Sequence, residues 1–598
     1  MGTTIGRLYF YVVSFITLLM VAYAAGSLVS SAIKFFLEPG SLTGDTGYWR
    51  RVLSAYLPMI IVGAPLWAVH WLASQRRAYQ APQEQQAPLR KLFLNAVLTV
   101  ASLAATFNAV RFIYHFLGYL TGTSIAPVSL PPKIYDVFNA GVWLVVYSFI
   151  WYYHWEVEKE EGQSTRAART LRRWYIYIVS LISLSVLGAG IFMNLSLIIS
   201  FVTGGLAQQI AGAGTPTLLK RWSLSFAPII GGAAWWSFHW LYLGRKDAES
   251  LLRHVYLYFF VFVGLALTVS GLGALLFEAL RYAFGYRAIS VSAQLSTLQY
   301  ALPALIIGGG AWAYHWNVVL EDALPKGRGD LSTSSRQSLA PTGGALAGVR
   351  RRYNYLVSLA GLLSVTVGLA SLIRVLLEIG FGVGQELKRS PDWWRDQLSV
   401  FIVLTVIGLA VWLPHWVRMQ RLVEEEGDVE RTALSRRLVL YLVIFASVIG
   451  ILFNGAFLLN GLLRLVLGEP ITRRFTATIF SNIGNVTVIG TFLFYHWRIL
   501  NQDRELTTDI STVDRKHLMV LASPGLQNRV RQLEAALGTQ ITVLDEVRDA
   551  QEPAQAEVEA TAFAESEVED LVNKIKRAPS NKVLLILSPT RVEVHPYR

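Results

Sequence analysis

Histidines flanked by tryptophans recur six times near the ends of apolar segments, and imidazole is a side chain that binds haem or metal ions and relays protons near neutral pH. Five copies have the spacing Trp-x-x-His-Trp, and the sixth has Leu493 at the first position. Residues at i, i+3 and i+4 share one helical face, so each copy presents its aromatic rings and imidazole together. The motif residues are Trp67, His70 and Trp71; Trp151, His154 and Trp155; Trp236, His239 and Trp240; Trp312, His315 and Trp316; Trp412, His415 and Trp416; and His496 and Trp497.

Two interpretations of the motif stay open. In the first, the motif packs and anchors helices, with the indoles in the interfacial belt and the imidazole near the negative end of the helix dipole. Glycines four residues before the first tryptophan favour this reading, because small residues let a neighbouring helix approach closely: Gly63, Gly232, Gly308 and Gly408.

In the second interpretation, the histidines are ligands of haem or another metal, or members of a proton relay. One histidine per segment lacks the two-histidine helical spacing of specific haem sites, and we expect no carboxylate to share the histidine face consistently. The sequence therefore identifies no cofactor, no metal site and no catalytic residue.

The composition is typical of a membrane protein. The 598 residues are 53% hydrophobic and 16% charged, with a mean hydropathy of +0.42, which lies outside the range of soluble domains. Each copy of the motif comes with two apolar stretches of about 20 residues or more, enough to cross about 30 Å of hydrocarbon as helices. The sequence therefore predicts an all-α integral membrane protein with about twelve transmembrane helices in six hairpin repeats.

A second pattern groups these hairpins in pairs. An Arg-x-Tyr-x-Tyr opening begins the first, third and fifth hairpins at Arg7, Arg173 and Arg351, whereas the even hairpins open differently. We therefore predict three four-helix membrane units at residues 6–158, 172–322 and 350–503, related by an axis along the membrane normal. Residues 323–349, rich in Gly, Ser, Thr and Pro, predict a flexible linker.

Charges in the loops predict the orientation, because Lys and Arg accumulate on the cytoplasmic side. The loops that follow His-Trp carry most of these residues, so both termini should be cytoplasmic. The protein is expected in the cell (plasma) membrane. The formal charge of +13 then favours the lipid bilayer, through anionic headgroups, over nucleic acid. The acidic run at residues 156–161 is expected to be solvated, and the lack of cysteine excludes disulfides and thiolate metal sites.

The segment 506–598 has a soluble composition and predicts a small cytoplasmic α/β domain. Strands are expected near residues 518–522, 541–544, 582–587 and 591–595, with helices over 526–537 and 565–576. This domain offers a surface for a cytoplasmic protein partner. It contains no phosphate-binding loop, zinc-protease motif or nucleophile elbow, so the sequence gives no sign of an enzyme.

The Arg-x-Tyr-x-Tyr openings, paired hairpins and His-Trp endings resemble those of uncharacterised bacterial multi-pass membrane proteins of domain-of-unknown-function family 5671, in tandem copies. The resemblance covers residues 6–503 and implies a multi-pass membrane protein, without an activity or a site. The function we expect is a scaffold or sensor built from tandem membrane repeats. The alternatives are a transporter, or a haem-binding electron-transfer protein that uses the repeated histidines. The sequence does not specify an oligomeric state.

Overall fold

A computed structural model describes residues 4–38, 47–122, 133–204, 218–247, 250–323, 344–386, 392–514, 517–522, 526–537, 542–545, 565–577, 582–587 and 592–597. Within these ranges the chain forms twelve helices of 19 residues or more, followed by a small sheet. Most of the predicted linker at 323–349 lies outside the described residues, and its last residues begin a long helix.

The long helices follow one another in six hairpins. Hairpins 1 to 3 consist of α1 Thr4–Leu37 and α2 Tyr48–Gln80, α3 Pro88–Thr121 and α4 Ile134–Glu161, and α5 Arg166–Val202 and α6 Leu218–Trp236. Hairpins 4 to 6 consist of α7 Leu251–Ala283 and α8 Leu298–Ala323, α9 Gly344–Gly380 and α10 Trp393–Glu426, and α11 Leu434–Val466 and α12 Arg473–Asp514. One-turn helices occur at Pro82–Gln85, Val291–Gln294, Val383–Glu386 and Asp428–Arg431.

Ten of these twelve helices in the described part of the chain are long and apolar enough to cross a membrane. The two others are α6 and α8. Helix α6 continues into a π-helix at Ser237–Leu243, which contains His239 and Trp240 of the repeated motif. A π-helix is a wider turn that occurs often at functional sites.

The chain divides into two compact parts, Met1–Trp412 and Leu413–Arg598, and the division falls inside α10. In the first part, the first helices of consecutive hairpins contact one another in the order α1, α3, α5, α7 and α9. Each second helix packs on its own first helix, and α4, α6 and α8 also pack on α1, α3 and α5 of the preceding hairpin. The repeats therefore stack side by side. In the second part, α11 packs on α12.

Glycines bring the two helices of three hairpins into backbone contact. A methyl group built on Gly308 would lie 2.5 Å from the backbone nitrogen of Thr268, closer than real side chains approach. The equivalent distances are 2.6 Å from Gly232 to the nitrogen of Leu187 and 2.7 Å from Gly408 to the nitrogen of Val365. A side chain at these positions would force the helices apart, so the glycines fix the closest approach within each hairpin.

The buried core of the first part runs through several hairpins without interruption. It joins Leu98 of α3, Tyr175 of α5, Trp240 at the end of hairpin 3, Tyr256 of α7 and Tyr353 of α9. The buried aromatic residues of the repeats thus form the contacts between hairpins as well as those within them.

The C-terminal segment forms an α/β fold, as predicted. Strands β1 His517–Ala522, β2 Thr542–Asp545, β3 Lys582–Leu587 and β4 Val592–Tyr597 lie in the order β2-β1-β3-β4. β1 is parallel to β2 and β3, and β4 is antiparallel to β3. Helices α13 Gln527–Leu537 and α14 Glu565–Arg577 contribute Leu533 and Ile575 to a core that also contains Val520 and Leu585 of the sheet.

Candidate functional site

The repeated histidines lie in the C-terminal halves of the second helices, or in the π-helix that continues α6. Five of the six are buried, with 8% or less of their surface exposed: His70, His154, His239, His315 and His496. His415 is half-buried. In each of the five, Nδ1 lies 2.8 Å from the carbonyl oxygen four residues earlier. Because a carbonyl only accepts, Nδ1 carries the proton and donates. Only Nε2 is left for another contact, and in the neutral ring it is an acceptor.

In hairpins 1 and 3 this acceptor faces a tyrosine of the Arg-x-Tyr-x-Tyr opening. The hydroxyl of Tyr175 lies 2.7 Å from Nε2 of His239 and accepts a 2.9 Å hydrogen bond from the indole of Trp151. In hairpin 1, the hydroxyl of Tyr9 lies 3.4 Å from Nε2 of His70. In these two hairpins the first tyrosine of the opening therefore donates to the histidine of its own hairpin, and Tyr175 also links hairpins 2 and 3.

In the even hairpins Nε2 has no hydrogen-bond partner among the described residues. This is true of His154, His315 and His496, and each is 1% exposed. Each imidazole packs instead against the second tryptophan of the preceding hairpin: Trp71, Trp240 and Trp416, with ring centroids 5.5, 6.3 and 5.1 Å away, respectively. The motif thus exists in two forms, which the common spacing of the six copies does not distinguish.

The same three tryptophans donate hydrogen bonds to the tyrosine that precedes the even-hairpin histidine. The pairs are Trp71 with Tyr153 at 2.8 Å, Trp240 with Tyr314 at 2.8 Å, and Trp416 with Tyr495 at 2.7 Å. They join hairpins 1 and 2, 3 and 4, and 5 and 6. These tryptophans are 3% exposed or less, whereas Trp155 and Trp316 are half-buried and Trp497 is 50% exposed.

The first tryptophans of the motif have less uniform surroundings. Trp236 donates a 3.2 Å hydrogen bond to Tyr256 of the following hairpin, as Trp151 does to Tyr175. Trp67 is half-buried, Trp412 is 9% exposed and Trp312 is 41% exposed. Leu493 takes the place of this tryptophan in hairpin 6, the last hairpin among the described residues.

Two turns beyond each even-hairpin histidine lies a carboxylate that pairs with a buried arginine. The pairs are Arg90 with Glu161, Arg253 with Asp322 and Arg436 with Asp503, and arginine Nε lies 2.8, 2.6 and 2.6 Å from a carboxylate oxygen. Each arginine begins the first helix of its hairpin and also binds the end of the preceding odd hairpin, at the side chains of Gln75 and Gln420 or the carbonyl of Gly244.

These pairs add detail to one expectation from the sequence and correct another. No carboxylate shares the histidine face in all six copies, but one lies seven residues after the histidine in every even hairpin. The acidic run at residues 156–161 is also not uniformly solvated. Glu158 is fully buried against Arg172 and Gln163, and the side chain of Glu161 is 7% exposed. Both carboxylates are buried because their cationic partners come from other helices.

The guanidinium groups of two of these arginines lie against the rings of the second tryptophans of the motif. The guanidinium of Arg253 lies 4.7 Å from the ring centroid of Trp240, and that of Arg90 lies 5.5 Å from Trp71. Such cation–π contacts add about 0.5–2 kcal/mol each, with the higher values at desolvated sites. The tryptophan thus contacts an imidazole, a tyrosine hydroxyl and a guanidinium at once.

In hairpins 1 and 3 the arginine of the opening has a separate acidic partner, in the loop after its own hairpin. Arg173 binds both oxygens of Asp247 at 2.6–2.9 Å, and Tyr177 donates to the same carboxylate at 3.0 Å. In hairpin 1, Arg7 binds Glu84 at 2.7 Å. In these two hairpins the arginine of the opening therefore binds the loop after the hairpin, while the first tyrosine binds the histidine.

The polar groups around the motif form hydrogen bonds and ion pairs between helices and do not form a set of metal ligands in the described part of the chain. Among the described residues, no group of three or more His, Asp or Glu side chains lies close enough to hold a metal ion. The carboxylates nearest the motif histidines bind arginines. In each odd–even pair of hairpins, the Trp–Tyr hydrogen bond joins the second helix of one hairpin to the second helix of the next.

A family model describes most of the helical region. The domain of unknown function DUF5671 matches residues 7–135, 173–286, 254–341 and 351–505, and three of these matches begin at the arginines of the Arg-x-Tyr-x-Tyr openings. No curated protein and no solved structure matches the chain. The matched segments cover well over half of the sequence, as expected for tandem copies. The chain belongs to the family of the domain of unknown function DUF5671.

Proposed function

We propose that this chain is a multi-pass membrane scaffold in which three four-helix units hold a cytoplasmic domain and its protein partner at the plasma membrane. The observation that carries the proposal is the threefold recurrence of one inter-hairpin contact: a tryptophan of the odd hairpin donates to a tyrosine of the even hairpin, and the buried arginine of the even hairpin donates to the end of the odd hairpin. The repeated polar groups are used to join hairpins, which is the task of a scaffold.

The energetics favour a role in pairing specificity. A hydrogen-bonding group within a bilayer is costly unless it is paired. Hairpin 6 beside the wrong neighbour would lose the Trp416–Tyr495 and Arg436–Gln420 hydrogen bonds and leave buried N–H groups without acceptors. Apolar helices in lipid do not discriminate strongly between apolar neighbours, because lipid tails are equally apolar. The Trp–Tyr contacts and the arginine hydrogen bonds to the preceding hairpin supply that discrimination at the same place in each pair of hairpins.

The same contacts support twelve spans. Helices α6 and α8 carry the motif at the same place as the more apolar helices and make the same Trp240–Tyr314 contact, so we assign both as spans. Twelve spans put both termini on one side, and the basic loops after His-Trp place that side in the cytoplasm. The C-terminal domain then faces cytoplasmic proteins, and the helices face the lipid bilayer.

The described geometry gives no support to the alternatives. A haem protein would need imidazole Nε2 atoms open to the iron, and Nε2 of His239 accepts a hydrogen bond from Tyr175. The imidazole rings of the even hairpins pack against tryptophan rings. A transporter needs a polar passage at mid-membrane, and the polar side chains of the repeated contacts lie instead near the motif end of the helices.

Photocrosslinking in cells tests the scaffold. A photoreactive amino acid at Asn573, exposed on α14, should capture a specific protein, whereas the same amino acid at Phe445, 65% exposed on α11, should capture lipid alone. Equal protein capture at both positions, or none at Asn573, would contradict the proposal. An absorbance spectrum of the purified chain with a Soret band would favour the electron-transfer alternative.

A further inference from the structure

A cavity of about 220 Å³ lies between α7, α9 and α10, at the seam between hairpins 4 and 5. Its walls are almost entirely apolar and include Ala266 of α7, Ala360 of α9 and Val411 of α10. Two hydroxyl groups, those of Ser270 and Ser364, also line it, and Ser364 donates a 2.9 Å hydrogen bond to the carbonyl of Leu404. No charged residue is among its walls.

The seam between hairpins 2 and 3 is built from equivalent residues, but larger side chains occupy it. Counted from the paired arginines Arg90 and Arg253, Leu103 corresponds to Ala266. Counted from the motif histidines of α6 and α10, Trp235 corresponds to Val411. Leu103 and Trp235 both pack against the shared core. The cavity therefore occurs where a leucine and a tryptophan have been replaced by an alanine and a valine.

One contact point between the seams is also reversed. In the filled seam, Gly231 of α6 lies against Val110 of α3, and a methyl group built on this glycine would lie 3.3 Å from the backbone nitrogen of Val110. In the open seam the same two positions are Ile407 on α10 and Gly273 on α7, with 3.1 Å between the built methyl group and Cδ1 of Ile407. The larger side chain of this contact is therefore on the first helix in the filled seam and on the second helix in the open seam, where Ile407 lines the cavity.

We infer that the cavity at this seam binds the hydrocarbon chain of a membrane lipid. The inference rests on the proposed membrane placement: α7, α9 and α10 are all apolar enough to cross a bilayer. Exposed apolar side chains on the same three helices, Leu272, Leu363 and Val406, place hydrocarbon around the seam. An apolar cavity of about 150 Å³ is already large enough for a benzene-sized guest, so this one accommodates a segment of an acyl chain.

Photocrosslinking of the reconstituted full chain tests the site. The probe is a phosphatidylcholine with a diazirine on one acyl chain, incorporated in vesicles, and the crosslinked peptides are identified by mass spectrometry. The wild-type chain should be labelled at Ala266 and Ala360. Val411→Trp, which copies Trp235, should lose this labelling, and the matched control Val406→Trp on the exposed face of α10 should retain it.

A second variant, Ala266→Leu, copies Leu103 and fills the cavity with a smaller change, so that misfolding of one variant leaves the test intact. The inference would be overturned if Ala266 and Ala360 were not labelled in the wild type. It would also be overturned if both filling variants left this labelling unchanged. If the wild-type chain is labelled at Val406 but not in the cavity, the membrane placement holds and the lipid site fails. If carbonate extracts the chain from membranes, the proposed membrane placement itself fails.

Discussion

The indole nitrogen of Trp240 donates a 2.8 Å hydrogen bond to the phenolic oxygen of Tyr314, and the two residues belong to the second helices of neighbouring hairpins. The same Trp–Tyr pair occurs in each of the three pairs of hairpins. Because the pair occurs at the equivalent position in all three pairs of hairpins, we infer that this contact is part of the repeat itself. Its removal should have measurable consequences.

Replacing Tyr314 by Phe should destabilise the chain. The substitution keeps the ring but leaves the buried indole N–H of Trp240 without an acceptor, which costs about 1–3 kcal/mol. Denaturant titration of the purified chain in detergent, followed by helical circular dichroism, measures the change. The control is Tyr242→Phe, because Tyr242 is 68% exposed. Equal effects of the two variants would contradict the structural role of the Trp240–Tyr314 contact.

Removing one charge of a buried ion pair should destabilise the chain more than removing both charges. Arg436→Met leaves Asp503 buried without its cation, for which we expect a loss of about 3–5 kcal/mol in the free energy of unfolding. The double variant Arg436→Met with Asp503→Leu should recover most of this loss, because no buried charge is left over.

Helix α11 supplies a matched control for that experiment. Arg464 pairs with Glu469 at 2.6 Å, but about half of each side chain is exposed. Because solvent screens such a pair, Arg464→Met should leave the unfolding midpoint unchanged. A destabilised Arg464→Met variant, or a double variant as unstable as Arg436→Met alone, would be evidence against the buried-pair explanation.

Three consecutive glycines on α8 test the close helix contact. Gly308→Ala should destabilise the chain by about 1–3 kcal/mol, since its methyl group would meet the backbone of α7. At Gly309 and Gly310 a methyl group would meet nothing within 4 Å. Alanine there should stabilise the helix by about 0.5–1 kcal/mol, because it restricts the unfolded chain. Thermal unfolding of the three variants should therefore give opposite signs, and a common sign would refute the glycine assignment.

The two forms of the histidine motif predict different responses to the same substitution. His239→Phe should be the more destabilising, because the buried hydroxyl of Tyr175 loses its acceptor, which costs about 1–3 kcal/mol. His315→Phe removes an Nε2 that has no partner among the described residues and keeps the aromatic contacts. Thermal unfolding of both variants tests this difference. Equal losses of stability, or a loss of bound pigment on either substitution, would argue against the packing interpretation.

Much of the fold follows from the sequence, because each level has a strong local signal. The apolar stretches predict the helices, since a bilayer admits only segments whose backbone is hydrogen-bonded internally. The alternation of strand and helix patterns after residue 506 predicts the small sheet correctly. Helix α6 also shows a limit: its apolar pattern predicts one regular helix over 223–243, whereas the structure widens to a π-helix over Ser237–Leu243, around His239.

The site was less predictable, because its partners are far apart in sequence. Arg90 and Glu161 are separated by 71 residues, and a local pattern cannot indicate which arginine reaches which carboxylate. The signal was nevertheless present: an acidic residue follows the histidine by seven positions in each even hairpin, at Glu161, Asp322 and Asp503. Averaging all six copies conceals it, because the odd hairpins have no acidic residue at that position.

The proposed membrane placement puts all the repeated histidines on one side of the membrane, and cysteine labelling tests this most directly. The chain contains no cysteine, so single substitutions give an unambiguous reading. Cysteines at Gln80 and Ser164 follow successive His-Trp motifs, whereas Ile289 and Glu469 lie at the opposite helix ends.

With a membrane-impermeant maleimide on intact cells, Ile289→Cys and Glu469→Cys should be labelled at once. Gln80→Cys and Ser164→Cys should be labelled only after the membrane is permeabilised. Labelling of Gln80→Cys and Ser164→Cys from opposite sides would contradict the account, because the histidine layer would then not exist.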